Sequence, residues 1–344
     1  MKKLNSTEIA KLAGVSRSTV SRVVNGYANV PAETREKVMK VINENEYYPL
    51  LCGQLLAGKN TGTLGFFWIS NAPIASDFLS STFFIHVIES AAAYNYLILT
   101  SILKNLTDEE NINWVKRIFF QERIDAGIFV GTNNNEPLID ELIARGKIVS
   151  LFDYYHPEIT APNLITANFE TDTGGKVIDY LCGLGHKKIA VIDGNMNHYS
   201  SLKRHESYIA AMQRHKLEIR GEWMRYADIV ESSGYSACKE MIAQCKKLPT
   251  AICANNDSAA FGVYTALEEA NISIPDKISV IGIDGHPRSK FQKPPLTTFT
   301  FDFNQLFGSL VGRTIAAVEK QNDIISNEFF PGSLVERCSC SRIV

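Results

Sequence analysis

The sequence predicts a multidomain chain, with an N-terminal all-α helix-turn-helix domain ahead of a two-lobed α/β core. Three observations carry this. Residues 5–26 read as two short helices around a glycine turn. Beyond residue 61, apolar strand runs alternate with helix-length amphipathic segments. Positive charge gathers at the front of a chain whose total is -2.

The first helix has a capping residue, Ser6, ahead of Thr7 and Glu8, and an apolar stripe through Ile9, Leu12 and Ala13. Gly14 ends it. Ser16 is placed to cap a second helix, whose Val20, Val23 and Val24 share one face and pack on the first. Arg17, Ser18, Ser21 and Arg22 are left on the outer face. In such a motif the second helix enters the major groove of DNA with its N-terminal residues at the base edges, so Arg17 and Ser18 are placed to read sequence. Thr19, Arg22 and Asn25 suit phosphate or base contacts.

Pro31 announces a third helix, and Val38, Val41 and Ile42 close a miniature core. Up to Pro49 the basic residues are Lys2, Lys3, Lys11, Arg17, Arg22, Arg35, Lys37 and Lys40. The acidic ones are only Glu8, Glu33, Glu36, Glu44 and Glu46, so the remainder of the chain is acidic. That asymmetry concentrates attraction for phosphate at one end. A helical bundle that binds protein is the alternative reading of the same segment.

The stretch Ala10-Lys-Leu-Ala-Gly-Val-Ser-Arg-Ser-Thr-Val-Ser-Arg-Val-Val-Asn-Gly26 resembles the N-terminal signature of the LacI/GalR family of bacterial transcription regulators. Further motifs occur in that family's order: Arg123-Ile-Asp-Ala-Gly127, Leu184-Gly-His-Lys-Lys-Ile189, Ala254-Asn-Asn-Asp257, Val280-Ile-Gly-Ile-Asp284 and Pro294-Pro-Leu-Thr-Thr298. The resemblance therefore spans nearly the whole chain. It implies a periplasmic-binding-protein-like core, a homodimer on a nearly palindromic operator, and a small effector, in most relatives a sugar or sugar derivative, held between the lobes.

Residues 50–61 lie between the two domains and are too short to form a stable helix alone. By the resemblance such a hinge folds when two copies meet on DNA, and a leucine from each wedges into the minor groove. Leu56 sits at the matching position. Gly53 and Leu50 depart from the family's usual alanine and asparagine, and glycine costs about 1 kcal/mol of helix stability.

Buried-strand runs are read at residues 64–69, 96–100, 126–130 and 149–152, then at 189–192, 251–254 and 278–283. Two doubly wound parallel sheets follow from right-handed crossovers. The resemblance sets three crossings between lobes, near residues 162, 291 and 323. The expected domains are therefore 1–49 for the head, 50–61 for the hinge, 62–162 with 291–322 for one lobe, and 163–290 with 323–344 for the other.

Ligands of such folds bind at the carboxyl ends of the strands. Asp153, Asn256 and Asp284 end three of the strand runs, and their carboxylates and amide suit hydroxyl groups. Arg204, in Lys203-Arg-His-Glu-Ser-Tyr208, matches an arginine that in relatives bonds the ligand. Trp68 is a candidate for stacking on a sugar ring and equally a core residue, as are Phe78, Tyr154 and Tyr155. Asn256 and Asp257 are alternatively caps of the helix beginning at Ser258. The loop 69–78 is longer than the usual family version, and Asn168-Phe169-Glu170 lacks the common Asp-Asn pair.

No nucleophile elbow, phosphate-binding loop or metalloprotease motif occurs, the seven histidines lack ligand spacing, and the seven cysteines form no CxxC pair. No enzyme, cofactor or metal site is expected. With no run of eighteen apolar residues and a DNA reader at the N-terminus, the expected location is the cytoplasm. The dimer is expected to pair along 84–94 and along the helix at 257–270. Control by a protein corepressor, or a solute-binding protein with no DNA role, are the alternatives.

Overall fold

The computed structural model describes residues 4–49, 55, 58–70, 78–155, 161–321 and 324–343, and it divides into two compact units, Met1–Thr63 and Leu64–Val344. Leu56, Phe78's side chain and most of the loop 69–78 lie outside the described residues.

The first unit holds α1 (Ser6–Ala13), α2 (Arg17–Val24) and α3 (Ala32–Glu44). Asn5, not Ser6, caps α1. Its Oδ1 accepts the amides of Thr7 at 2.9 Å and Glu8 at 3.1 Å, while Glu8 Oε2 accepts the Asn5 amide at 2.9 Å, a reciprocal capping box. Gly14 takes φ +63°, the left-handed turn that lets α2 fold back. Ser16 caps α2 as the sequence predicts, accepting the Thr19 amide at 3.1 Å. The head's core is Ile9, Ala10, Ala13, Val20, Val23, Val30, Val38 and Ile42. Leu12, placed in the stripe by its spacing, is instead 57% exposed, because the contact face runs through Ile9, Ala10 and Ala13.

The second unit is built on two six-stranded sheets. The first contains β1 (Thr63–Ile69), β2 (Leu97–Leu103), β3 (Ala126–Val130), β4 (Ile148–Phe152), β5 (Leu164–Phe169) and β11 (Asn327–Phe330), in the order β11-β5-β4-β3-β1-β2. The second contains β6 (Ile189–Asp193), β7 (Met224–Tyr226), β8 (Ala251–Ala254), β9 (Ser279–Asp284), β10 (Thr297–Phe301) and β12 (Gly332–Val335), in the order β12-β10-β9-β8-β6-β7. The sheets are not purely parallel, since β12 runs antiparallel to β10.

Helices cover the sheet faces: α4 (Phe78–Ala93), α5 (Glu109–Phe120), α6 (Pro137–Ala144) and α11 (Phe303–Val318) with the first sheet, α7 (Thr173–Gly183), α8 (Tyr199–Arg214), α9 (Glu231–Gln244) and α10 (Asp257–Glu269) with the second. All seven predicted strand runs form.

The expected lobe crossings fall too early. β5 pairs with β4, so the first crossing follows residue 169, not 162. β10 pairs with β9 in the second sheet before α11 packs on the first, moving the second crossing from 291 to about 302. β11 and β12 lie in different sheets, so the third falls at Pro331 instead of 323. Each shift has one cause: a strand runs on in its own sheet before the chain leaves it.

Candidate functional site

Two sets of polar residues stand out, one on the head and one where the two sheets' strand ends meet. On the head, α2 presents Arg17, Ser18, Ser21 and Arg22 to solvent, while Val20 and Val23 are buried beneath it. The hydroxyls of Ser16, Ser18 and Thr19 cluster at its N-terminus, Ser16 Oγ lying 2.7 Å from Ser18 Oγ and 2.8 Å from Thr19 Oγ1. Amides and hydroxyls converging at a helix N-terminus suit an anionic oxygen. Asn25 ends α2, its Nδ2 donating to Ser21 Oγ at 3.3 Å, so this amide is partly engaged at home.

In the core, Asp153 follows β4 with φ +61° and reaches across to the other lobe. Its carboxylate accepts the Ser200 amide at 2.6 Å and the Ser200 hydroxyl at 2.7 Å, at the first turn of α8. Two further bonds cross beside it: His198 Nδ1 donates to Thr132 O at 3.1 Å, and the Asn134 amide to Asn197 O at 2.6 Å. Burial pushes the Asp153 carboxyl upward, opposed by Ser200, His198 and Arg204.

Arg204 lies on α8, 8% exposed, and its Nη1 donates to Asn255 O at 2.6 Å. The Nε of Arg204 and the Oδ1 of Asn255 are both buried and without a hydrogen-bond partner. Such atoms are rare in folded proteins because each forfeits its bonds to water. Asp193, at the end of β6, is 2.7 Å from His205 Nδ1; burial raises its carboxyl and His205 draws it back. Asp153, Asp193, Arg204 and Asn255 therefore form a mixed-charge polar group at the carboxyl ends of the strands.

Of the other predicted site residues, Asn256 serves as the N-cap of α10, accepting the Ala259 amide at 2.7 Å and donating to Ile229 O at 3.0 Å. Its amide is thus spent on the scaffold. Asp284 ends β9 with φ +103°, a backbone position an aspartate tolerates better than bulkier residues. Trp68 is 6% exposed and packs between Phe66 and Phe83, with ring centroids 6.2 and 6.3 Å away, which is its core alternative. Tyr154 is buried and its phenol is pushed up to about 12 by desolvation. Tyr155 stays 38% exposed, its ring 5.6 Å from Tyr199 and 6.0 Å from Phe329.

Two residues that the sequence names only as a motif member and a helix cap hold more of the scaffold than that reading gives them. Asn168, at the end of β5, accepts the Tyr154 amide at 2.8 Å and donates to Tyr154 O at 3.0 Å, fixing the turn that carries Asp153. Asp257 does not merely begin α10. Its carboxylate accepts the Thr298 hydroxyl at 2.6 Å and both the Ser289 hydroxyl and the His286 amide at 2.7 Å, tying β10 and the loop after β9 to the helix. Burial pushes this carboxyl up to about 6. Gly282 makes room for it: a Cβ there would sit 2.1 Å from Asp257 Oδ1. The signal in the sequence is the pairing of Asn-Asn-Asp257 with Leu-Thr-Thr298, which needs the sheet order to be read as one network.

A groove-reading head joined to a two-lobed α/β core defines a DNA-binding regulator of the helix-turn-helix type with a ligand-binding-protein core. Residues 7–49 match the family of bacterial regulatory proteins of the lacI type, and residues 178–340 match the periplasmic binding protein-like domain. The transcriptional repressor PurR of Vibrio parahaemolyticus is 30% identical over 85% of this chain and 85% of its own length. PurR of Haemophilus influenzae is 29% identical over 85% of this chain and 84% of its own length. A lac repressor dimer solved with operator and the anti-inducer ONPF superposes with a TM-score of 0.81 at 26% identity, covering 99% of this chain and 100% of that one. The chain belongs to the LacI family, and it is a transcription regulator.

Proposed function

We propose that this chain acts as a homodimeric repressor in the cytoplasm, binding a pseudo-palindromic operator through Ser16, Arg17, Ser18, Thr19, Ser21, Arg22 and Asn25, with Leu56 as the hinge wedge. A small hydroxylated effector, sugar-like in the family's majority case, sits between the lobes against Asp153, Arg204 and Asp284. The observation that carries the effector reading is the polar group at the strand ends, where the buried Arg204 Nε and Asn255 Oδ1 lack partners. A carboxylate-rich site with one buried guanidinium offers both acceptors and donors to hydroxyls.

Dimerisation is supported by exposed apolar side chains at one edge of the first lobe. Ile85 and Ile88 on α4, Tyr94 just after it, and Leu97, Leu99 and Ile102 on the edge strand β2 are all exposed, between 36% and 71%. Ile85, Ile88 and Tyr94 belong to the segment 84–94 named from sequence. The second named segment, 257–270, offers little: nine residues of α10 are buried, mostly against α9, and those exposed on it and just after it are Thr265, Glu268, Glu269 and Ala270.

The test combines two measurements on the full-length chain. Duplexes are selected from a randomised pool, and melting temperature is followed against sugars, sugar phosphates and purine bases. A selected palindromic site and a metabolite-induced shift support the proposal. Selection without any small-molecule response moves the regulatory input to a protein partner. A metabolite response without selection leaves a solute-binding protein.

A further inference from the structure

We propose that Ser6 is a specificity-setting positioning residue, whose hydroxyl holds the Arg17 guanidinium so that its terminal amino groups meet a guanine. The inference rests on the regulator reading above.

Ser6 is the first residue of α1 and Arg17 the first of α2. Both are sequence positions that the helix-turn-helix motif brings to one end of the head. Arg17 Nε donates to Ser6 Oγ at 3.1 Å. The cap of α1 is Asn5, whose Oδ1 takes two amides, so Ser6 is released from the capping duty its position suggests. Among the described residues Arg17 makes no ion pair. A guanidinium with Nε engaged retains four N–H donors on its two Nη atoms, arranged as an end-on fork.

That fork matches the O6 and N7 acceptors of guanine. At adenine it meets one acceptor, N7, and the N6 amino donor, so one prong is lost. An arginine on an exposed helix start otherwise carries rotamer freedom that a base contact must remove. A tether already made in the free protein removes part of it beforehand, and it does so for one approach direction only. Ser6 thus acts through Arg17 on a single base pair. An untethered Arg17 would equally serve a phosphate, which carries no sequence information.

The experiment uses the full-length chain and the duplex it selects from a randomised pool, with every half-site position changed to each other base, at one fixed salt concentration. Affinities are measured for the parent, Ser6→Ala, Ser6→Thr, Arg17→Ala and the Ser6→Ala/Arg17→Ala double variant. Arg17→Ala is expected to erase a guanine preference at one position per half-site. Ser6→Ala is expected to weaken the guanine duplex by about three- to tenfold, reduce discrimination at that position alone, and leave random DNA unchanged. Ser6→Thr, which keeps the hydroxyl, restores the preference, and Ser6→Ala adds nothing once Arg17 is gone. Uniform loss on all duplexes, intact guanine preference in Ser6→Ala, or an undiminished Ser6→Ala effect in the Arg17→Ala background would overturn the inference. If the parent selects no sequence, the regulator reading itself falls with it; if it selects and only Ser6→Ala is silent, this inference alone falls.

Discussion

The head and the core cleft assign work to side chains in opposite ways. On the head, scaffold and reader separate cleanly by exposure: Val20 and Val23 are buried, while Arg17, Ser18 and Arg22 face water from the same helix. In the cleft, polar residues are buried together and bond one another, across lobes as Asp153 does with Ser200 and within one lobe as Arg204 does with Asn255. A surface reader can change its specificity without touching the fold. A cleft residue such as Asp153 is scaffold and candidate contact at once.

The sharpest way to break that contrast is to attack the head's core. Ile9 is 0% exposed in a cluster of only eight buried residues. Ile9→Ala is expected to cost roughly 2–5 kcal/mol, which a unit this small cannot absorb. DNA binding should vanish while the core's calorimetric transition stays in place. Loss of both transitions together would show that the two units do not unfold separately.

The carboxyl of Asp257 supplies the next test. Its folded value, about 6, lies above the ordinary 3.8, so the folded state holds the proton more tightly than the unfolded chain does. The stabilisation from this group is present below pH 3.8 and is lost as pH rises to about 6, on the order of 3 kcal/mol in all. Asp257→Asn removes that dependence. The melting temperature of the parent minus that of the variant should therefore fall as pH rises from 4.5 to 7, and a constant difference would contradict it.

A smaller effect is expected at the lobe junction. Asp153→Asn keeps a residue suited to φ +61° but exchanges one acceptor for a donor facing Ser200. Amide exchange at Ser200 should quicken by about tenfold with helix α3 of the head unaffected. Unchanged protection at Ser200 would mean that this bond does not hold the lobes.

The same contrast decides what could be read from the chain alone. The head was legible because caps, turn and face lie within twenty residues and depend on local periodicity. Even there the cap moved by one position, to Asn5, since Asn and Ser are equivalent in sequence and only the capping box with Glu8 distinguishes them. Leu12 was misplaced because spacing alone does not say which side of the stripe meets α3. In the core, the seven strand runs were legible from apolar character, whereas β5, β7 and β10 went unread as strands. Two of them carry polar residues inside the sheet, Thr166 and Asn168 in β5 and Thr298 in β10, where they bond side chains distant in sequence. The lobe crossings, set by the resemblance, fall too early because β5 and β10 run on in their own sheets before the chain leaves them. The bonding roles of Asn168 and Asp257 stayed hidden for the same reason, as their partners lie up to 159 residues away.

A regulator that carries its effector in the proposed cleft must grip DNA differently when the cleft is occupied. This is tested most directly by titrating the full-length chain onto its selected duplex, with and without a saturating metabolite found by thermal shift. A coupling of about 5- to 150-fold in affinity is predicted, with the metabolite's own affinity changing by the same factor when duplex is present. Identical duplex affinity at full metabolite occupancy would contradict it.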